Sequence, residues 1–219
     1  MTASDSDLPS QLAIFPLAGV SLLPGGQLPL NIFEPRYLDM TRDAMGAHRL
    51  IGMVQPIDPE DPSQCPRCYE VGCAGRITQF RETNDGRFLI VLTGINRFRI
   101  AEELAVATRY RQVRADWAAF AADRDGHESP EGLDRERFLR ALRAYLKLQG
   151  MSADWQAIER SPLPLLITHL AMLCPFGPSE KQALLEAPNL VERSRTMVAL
   201  MEMAAIASAT LSGDSPPKQ

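Results

Sequence analysis

The sequence predicts an α+β protein in which a β-rich first part is followed by a helical second part. Three observations carry that expectation. Up to about residue 120, prolines and glycines cut the chain into short apolar runs, the punctuation of strands and turns. Within that part, Asn84-Asp85-Gly86 separates two apolar stretches, and the second, residues 88–92, is almost continuously apolar. That is the pattern of a hairpin whose second strand is covered on both faces. Beyond residue 120, apolar residues recur at helical spacing between capping residues. The expected division is a β-rich module over 1–120, a helical bundle over 121–212 and a polar, flexible tail over 213–219.

Each element has a local reason. Residues 13–17 and 20–23 are short apolar runs, and Pro24-Gly25-Gly26 is a turn. Leu28-Pro29-Leu30-Asn31-Ile32-Phe33 resumes an extended pattern, and its proline restricts it to an edge strand or a strand start. Glu34-Pro35-Arg36 opens a helix with proline in the first turn, and Tyr37, Leu38, Thr41 and Met45 keep helical spacing to about Ala47. Residues 50–54 are a strand, and a loop with four prolines follows over 55–70. The hairpin strands come next. Gly94 interrupts the second and reads as a bulge or a close backbone approach, residues 95–100 form another, and residues 110–116 alternate as the last.

Residues 118–128 read as a connector. Ser129-Pro130-Glu131 reads as cap, first-turn proline and first-turn acid for a helix carrying Phe138, Leu139, Leu142, Tyr145 and Leu146, stopped by Gly150. Ser152 would cap a short helix with Trp155 and Ile158. Ser161-Pro162 would open one whose stripe is Leu165, Leu166, His169, Leu170 and Leu173. Ser179 with Glu180 opens a short helix to Glu186, and Asn189 caps the last and longest.

Composition narrows the function classes. In 219 residues, Lys and Arg number 23 and Asp and Glu 27, a net charge of −4 that lacks the basic footprint of nucleic-acid binding. Hydrophobic residues at 45% describe an ordinary globule, neither disordered nor fibrous. The first ten residues do not read as a signal peptide, and residues 197–211 are too short to span a bilayer. A cytoplasmic protein with no membrane association is expected, and four cysteines are too few for a disulfide scaffold.

Catalytic patterns are missing from the sequence. It contains no G-x-x-x-x-G-K-[ST], no G-x-S-x-G and no H-E-x-x-H. His48 and His127 fall in expected loops and His169 among leucines. Cys65-Pro66-Arg67-Cys68 reads as a pair of loop thiols. Half of a zinc site and a redox pair are the alternatives, although a second pair of zinc ligands is missing. Cys73, between Gly72 and Ala74, reads as core. Met197, Met201 and Met203 read as core filler, with an adaptable binding surface as the alternative. Arg97 and Arg99 alternate with Phe98 and Ile100. That reads as one solvated face opposite one buried face, with a ligand-contacting basic face as the alternative.

Several blocks together carry a family signal. Phe15-Pro16-Leu17, Leu23-Pro24-Gly25-Gly26 and the run from Leu28 to Tyr37 closely resemble the opening of the Lon amino-terminal domain family. Val71-Gly72, Asp85-Gly86 and Gly94-Ile95-Asn96-Arg97-Phe98 follow in the family's order, and Glu180-Lys181-Gln182 with Leu184-Leu185-Glu186 resemble its helical part. The resemblance implies a PUA-like bent β-barrel with an early inserted helix, followed by a helical bundle. It also implies engagement of polypeptide substrates. In Lon proteases the domain precedes an ATPase module and a serine–lysine peptidase module, and the 219 residues carry neither pattern. The expectation is therefore a non-catalytic polypeptide-binding or adaptor protein without a cofactor. Its partners would be unfolded or extended polypeptides held at a groove and strand edge, with Pro24, Gly25, Glu34, Arg36, Tyr37 and Arg97 as rim residues. The rival expectations are a scaffold that binds a folded partner or itself through the helical bundle, and a thiol or zinc protein using Cys65 and Cys68.

Overall fold

A computed structural model of the chain describes residues 8–63, 65–125 and 130–212. The elements run β1 (Gln11–Pro16), β2 (Gln27–Ile32), α1 (Pro35–Gly46), β3 (Leu50–Val54), β4 (Val71–Glu82), β5 (Phe88–Glu103) and β6 (Gln112–Asp116). A 3₁₀ segment (Ala118–Asp125) follows. Then come α2 (Arg135–Leu148), α3 (Trp155–Arg160), α4 (Leu163–Leu173), α5 (Pro178–Glu186) and α6 (Leu190–Ser212). Among the described residues no helix is long and apolar enough to cross a membrane.

Contacts divide the chain into two compact units, each discontinuous. One comprises Met1–His127 with Met172–Glu186, the other Glu128–Ala171 with Ala187–Gln219. The stretch Met172–Glu186, expected within the helical part, thus packs in the unit of the strands. The expected tail over 213–219 lies outside the described residues.

In the strand unit the sheet order is β2-β5-β4-β3-β1-β6, and β5 also pairs with β6. That extra pairing closes a ring of β1, β3, β4, β5 and β6, the bent barrel that the resemblance implied. The long strand β5 makes it possible. Its first half carries β2, from Thr93 opposite Gln27 to Phe88 opposite Ile32, and its end carries β6, from Arg99 opposite Asp116 to Glu103 opposite Val113. Gly94 was expected to interrupt this strand. The strand instead continues through it, with Ile95 as an extra residue opposite the Ala74–Gly75 step of β4, so the bulge expected at Gly94 is present and the interruption is not. Residues 20–23 do not form the expected strand, yet Leu22 and Leu23 are buried.

The barrel core gathers Leu12, Ile14, Leu50, Val54, Ala74, Phe98, Val113, Ala115 and Trp117. Phe98 stacks at a tilt on Trp117, with centroids 5.6 Å apart. Side chains at Gly52 or Gly72 would come within 2.8 Å of the Phe98 ring, so these two positions are empty to let the ring in. α5 is tied to the strands by polar side chains. The Gln182 amide donates to the Val71 carbonyl (3.0 Å) and to Glu186 (2.7 Å), and it accepts from Gln55 (3.1 Å). Lys181, buried, donates to the carbonyls of Gly19 (2.8 Å) and Met172 (3.2 Å). Burial lowers its pKa.

In the second unit α2 buries Phe138, Ala141, Leu142, Tyr145 and Leu146, close to the expected stripe. The helix starts are later than expected. Asp134 caps α2 by accepting from the Arg137 N–H (2.9 Å), the expected cap Ser129 lying outside the described residues, and Asp154, not Ser152, caps α3 through Ala157 (3.0 Å). Asn189 caps α6 as expected, accepting from Glu192 (2.9 Å). Met197 and Met201 are core filler, whereas Met203 is 65% and Ile206 67% exposed. α4 buries Leu163, Leu166, Ile167, Thr168 and Ala171, leaving Leu165 and Leu173 exposed. Of its expected stripe Leu166 is buried, His169 and Leu170 are half-buried, and Leu165 and Leu173 are exposed, because apolar residues occur all round this helix and spacing selects no face.

Candidate functional site

The site begins with the edge strand. β2 pairs with β5 on one side and ends the sheet on the other. A glycine-led bulge sets its start. The Gly25 N–H donates to the Gly94 carbonyl (2.8 Å) and the Gly94 N–H to the Gly26 carbonyl (2.9 Å), with Gly25 at φ 77°. From that bonded pair the ladder alternates, so Leu28, Leu30 and Ile32 exchange bonds with β5. The main-chain groups of Gln27, Pro29 and Asn31 face off the sheet. Pro29 falls where its missing N–H costs nothing. The outward edge therefore offers two N–H donors, at Gln27 and Asn31, and three carbonyl acceptors.

Side chains frame this edge. Leu28 and Leu30 are half-buried on one face, and Leu30, Ile90 and Phe80 lie abreast across β2, β5 and β4. Phe80 is exposed and packs on Phe88 with ring centroids 5.0 Å apart. Phe33, at the end of β2, is 60% exposed with the Arg87 guanidinium 5.8 Å from its ring.

Five of the six expected rim residues bracket β2. Pro24 and Gly25 stand at its start. Glu34, Arg36 and Tyr37 stand at its end, where Glu34 precedes the first turn of α1. Glu34 accepts from Arg36 Nε (3.0 Å) and Nη2 (2.9 Å), and the Arg36 guanidinium lies 4.5 Å from the Tyr37 ring. Tyr37 is buried against Phe15 at 4.2 Å, and burial pushes its phenol pKa up. Arg36 and Tyr37 line a cavity of about 50 Å³ with Ile14, Pro16, Cys65, Arg109, Tyr110 and Arg111. The arginines there have acidic neighbours. Arg111 forks onto Glu103 (2.6 and 2.7 Å), and Arg109 lies 3.9 Å from Asp39. Tyr110 donates to Asp43 (2.7 Å), and burial with this bond raises its pKa.

Arg97 departs from the expectation. It was read as one member of a solvated face and as a rim residue, but it is 2% exposed. Its side chain forks onto Asp123 (Nε 2.9 Å, Nη2 2.7 Å), its backbone N–H donates to the same carboxylate (2.9 Å), and Nη1 donates to the Leu185 carbonyl (3.0 Å). The Phe120 ring covers the guanidinium at 4.5 Å. Arg97 joins β5, the 3₁₀ segment and α5 from within, whereas Arg99 is exposed as expected and pairs with Glu70 (3.0 Å). The sequence carried no local signal for this, since Asp123 lies in a stretch that reads as a connector.

Cys65 is exposed, Cys68 is half-buried, and Cys73 and Cys174 are buried. Burial pushes the Cys68 thiol pKa up, partly countered by Arg111. Among the described residues no group of three or more His, Cys, Asp or Glu side chains is placed to hold a metal ion.

Comparison with known proteins bears on this arrangement. The model of the ATP-dependent protease La (LON) substrate-binding domain matches residues 11–203. The chain is 27% identical over 205 residues to Lon protease 2 of Myxococcus xanthus, covering 89% of this chain and 24% of that protein. It is 25% identical over 204 residues to Lon protease 2 of Sorangium cellulosum, covering 86% and 24%. The chain thus spans about a quarter of the length of these relatives. The Lon N-terminal domain protein from Xanthomonas campestris superposes with a TM-score of 0.62 at 24% identity, covering 87% of this chain and 98% of that one. The N-terminal domain of the Mycobacterium avium complex Lon protease gives 0.61 at 16%, covering 88% and 98%. At those identities the two structures speak to the fold alone.

Proposed function

Because the chain belongs to the ATP-dependent protease La (LON) substrate-binding domain family, we propose that it is a polypeptide-binding module whose receptor is the open edge of β2. The observation that carries this reading is the one-sided pairing of β2. An extended segment laid antiparallel or parallel along the edge would satisfy the groups at Gln27, Pro29 and Asn31, and its alternate side chains would cover the half-buried Leu28 and Leu30. Phe33 and Phe80 supply exposed aromatic area beside it. Pro24, Gly25, Glu34, Arg36 and Tyr37 bound the ends of the strand and fix how far a segment can extend. The work is binding, and no step of bond making is assigned to these residues.

The test is peptide binding by fluorescence anisotropy with a library of extended, unstructured peptides. We predict that Asn31→Pro, which deletes an outward N–H and leaves the β5 ladder intact, weakens the best peptide at least 10-fold with little change in Tm. Peptides N-methylated at alternate residues should lose affinity in one register and keep it in the other. Equal binding by both methylation patterns and by Asn31→Pro would remove the edge from consideration.

A second reading rests on a separate observation, the exposure of Met203 and Ile206 one turn apart on α6. They form an apolar strip suited to a folded partner or a second copy of the chain. Light scattering of the native chain and of Met203→Asp/Ile206→Asp separates the two. A dimer that the substitutions dissociate would favour a homodimer, and a monomer in both would leave only a heterologous partner.

A further inference from the structure

The loop between β3 and β4 is pinched at its neck and pinned at its side. Ile57 donates to the Arg67 carbonyl (2.8 Å) and Tyr69 to the Gln55 carbonyl (2.9 Å), so residues 55–57 and 67–69 run as a short ladder. Arg111 then reaches across from the start of β6. Its Nη1 donates to the Pro66 carbonyl (2.8 Å) and to Cys68 Sγ (3.3 Å), while Glu103 holds the other edge of the guanidinium. Cys65 borders the same small cavity as Arg111. Cys68, half-covered, thus touches this held guanidinium, and Cys65, three residues before it and open to solvent, borders the cavity that the guanidinium lines. The two remaining cysteines are buried and outside this chemistry.

We propose that Cys65 and Cys68 form a reversible dithiol–disulfide pair, oxidised by a small disulfide of the glutathione class, with Arg111 as the residue that senses its state. Cys65 attacks first, because it is the exposed thiol. Its thiolate bonds to one sulfur of the small disulfide and expels the other as a thiolate, leaving a mixed disulfide on Cys65. Cys68 then gives its proton to solvent and attacks the Cys65 sulfur, expelling the second small thiolate. Two protein thiols are oxidised and one small disulfide is reduced to two thiols. Closure converts the Cys68 sulfur from a thiol to a disulfide sulfur. That disturbs its contact with Arg111 Nη1 and moves the Cys65 side chain relative to Arg36 and Tyr37. Burial keeps Cys68 protonated at neutral pH, so the second step quickens as pH rises through and beyond the ordinary thiol range.

The experiment uses the full chain in glutathione buffers of graded oxidised-to-reduced ratio, with acid quench, alkylation and mass spectrometry. Trypsin cuts after Arg67, between the two cysteines, so an internal disulfide appears as two peptides joined. The expected result is a loss of two protons from the protein mass, with the joined peptides mapping to Cys65 and Cys68. Cys68→Ser should stop at a mixed disulfide on Cys65, one glutathione heavier. In arginine side-chain NMR, oxidation should shift the Arg111 signals and leave those of Arg97 in place. Mixed disulfide accumulating on the native chain without closure would overturn the proposal. So would a disulfide mapping to Cys73, or closure with the Arg111 signals unmoved. None of these readouts depends on peptide binding, so the outcome stands apart from the fate of the β2 edge.

Discussion

Arg97→Met is expected to destabilise the strand unit by about 3–5 kcal/mol, the cost of removing one partner from a buried ion pair. The Arg97 and Asp123 side chains are 3% and 4% exposed, so water cannot take over the role of the missing group. The substitution leaves the Asp123 carboxylate with one donor among the described residues, the Arg97 backbone N–H, and leaves the Leu185 carbonyl without the Nη1 proton. Chemical denaturation followed through Trp117, in a Trp155→Phe background so that only the barrel tryptophan reports, measures the effect. A loss below about 1 kcal/mol would show that the pair contributes no more than a surface bridge does. The double variant Arg97→Met/Asp123→Leu discriminates further. Replacing both members of a buried pair is often close to neutral, but here the Asp123 carboxylate also serves the Arg97 backbone. The double variant should recover only part of the loss.

The second large effect belongs to Gly94. A Cβ at this position would lie 2.1 Å from the Leu23 carbonyl oxygen and 2.8 Å from its carbon, both main-chain atoms with no rotamer to escape into. Gly94→Ala must therefore push the turn at Pro24-Gly25 away from β5. It would break the bonds of Gly25 and Gly26 to Gly94 and leave polar groups buried without partners. Two such losses amount to about 2–4 kcal/mol. The damage should be local in origin. Hydrogen exchange at Leu28 and Leu30 should rise by more than at Val113 and Ala115 on the far side of the barrel. Gly86→Ala is the matched control. It also has a positive φ, of 79°, but nothing lies within 4 Å of the added atom, so only backbone strain of about 1–2 kcal/mol remains.

These two residues also show what could be read from the chain and what could not. The strands and their hairpin were legible because alternation, a tight turn and proline placement are local properties. The same holds for α1 behind Pro35 and for α6 behind its Asn189 cap. Gly94 is half legible: a glycine within a strand reads as a bulge or a close backbone approach, and it admits a passing carbonyl here, but it does not end the strand. Arg97 was misjudged. Its alternation with Phe98 gave the right geometry, but Asp123 and Leu185 come from far along the chain and announce themselves by no pattern. The candidate edge was half legible. Pro29 restricts β2 to an edge strand or a strand start, and its place in mid-strand leaves the edge. The bulge that decides which main-chain groups face outward depends on a contact between Gly25, Gly26 and Gly94 that spacing does not reveal.

The placement of α5 among the strands has a consequence for how the protein is made. The guanidinium of Arg97 can meet Asp123 soon after both are synthesised, but Leu185 emerges from the ribosome roughly 60 residues later. At ~5–20 residues per second that is a wait of about 3–12 s. For that interval the nascent barrel has its ring of strands but lacks the acceptor for Nη1, the amide of Gln182 for Val71 and the ammonium of Lys181 for Gly19. A truncated gene ending after the last strand would freeze the protein in that unfinished condition. Cutting at the apparent β-to-α boundary would thus yield a fragment with open hydrogen-bonding positions, while any self-sufficient version of the strand unit must carry residues 172–186 with it.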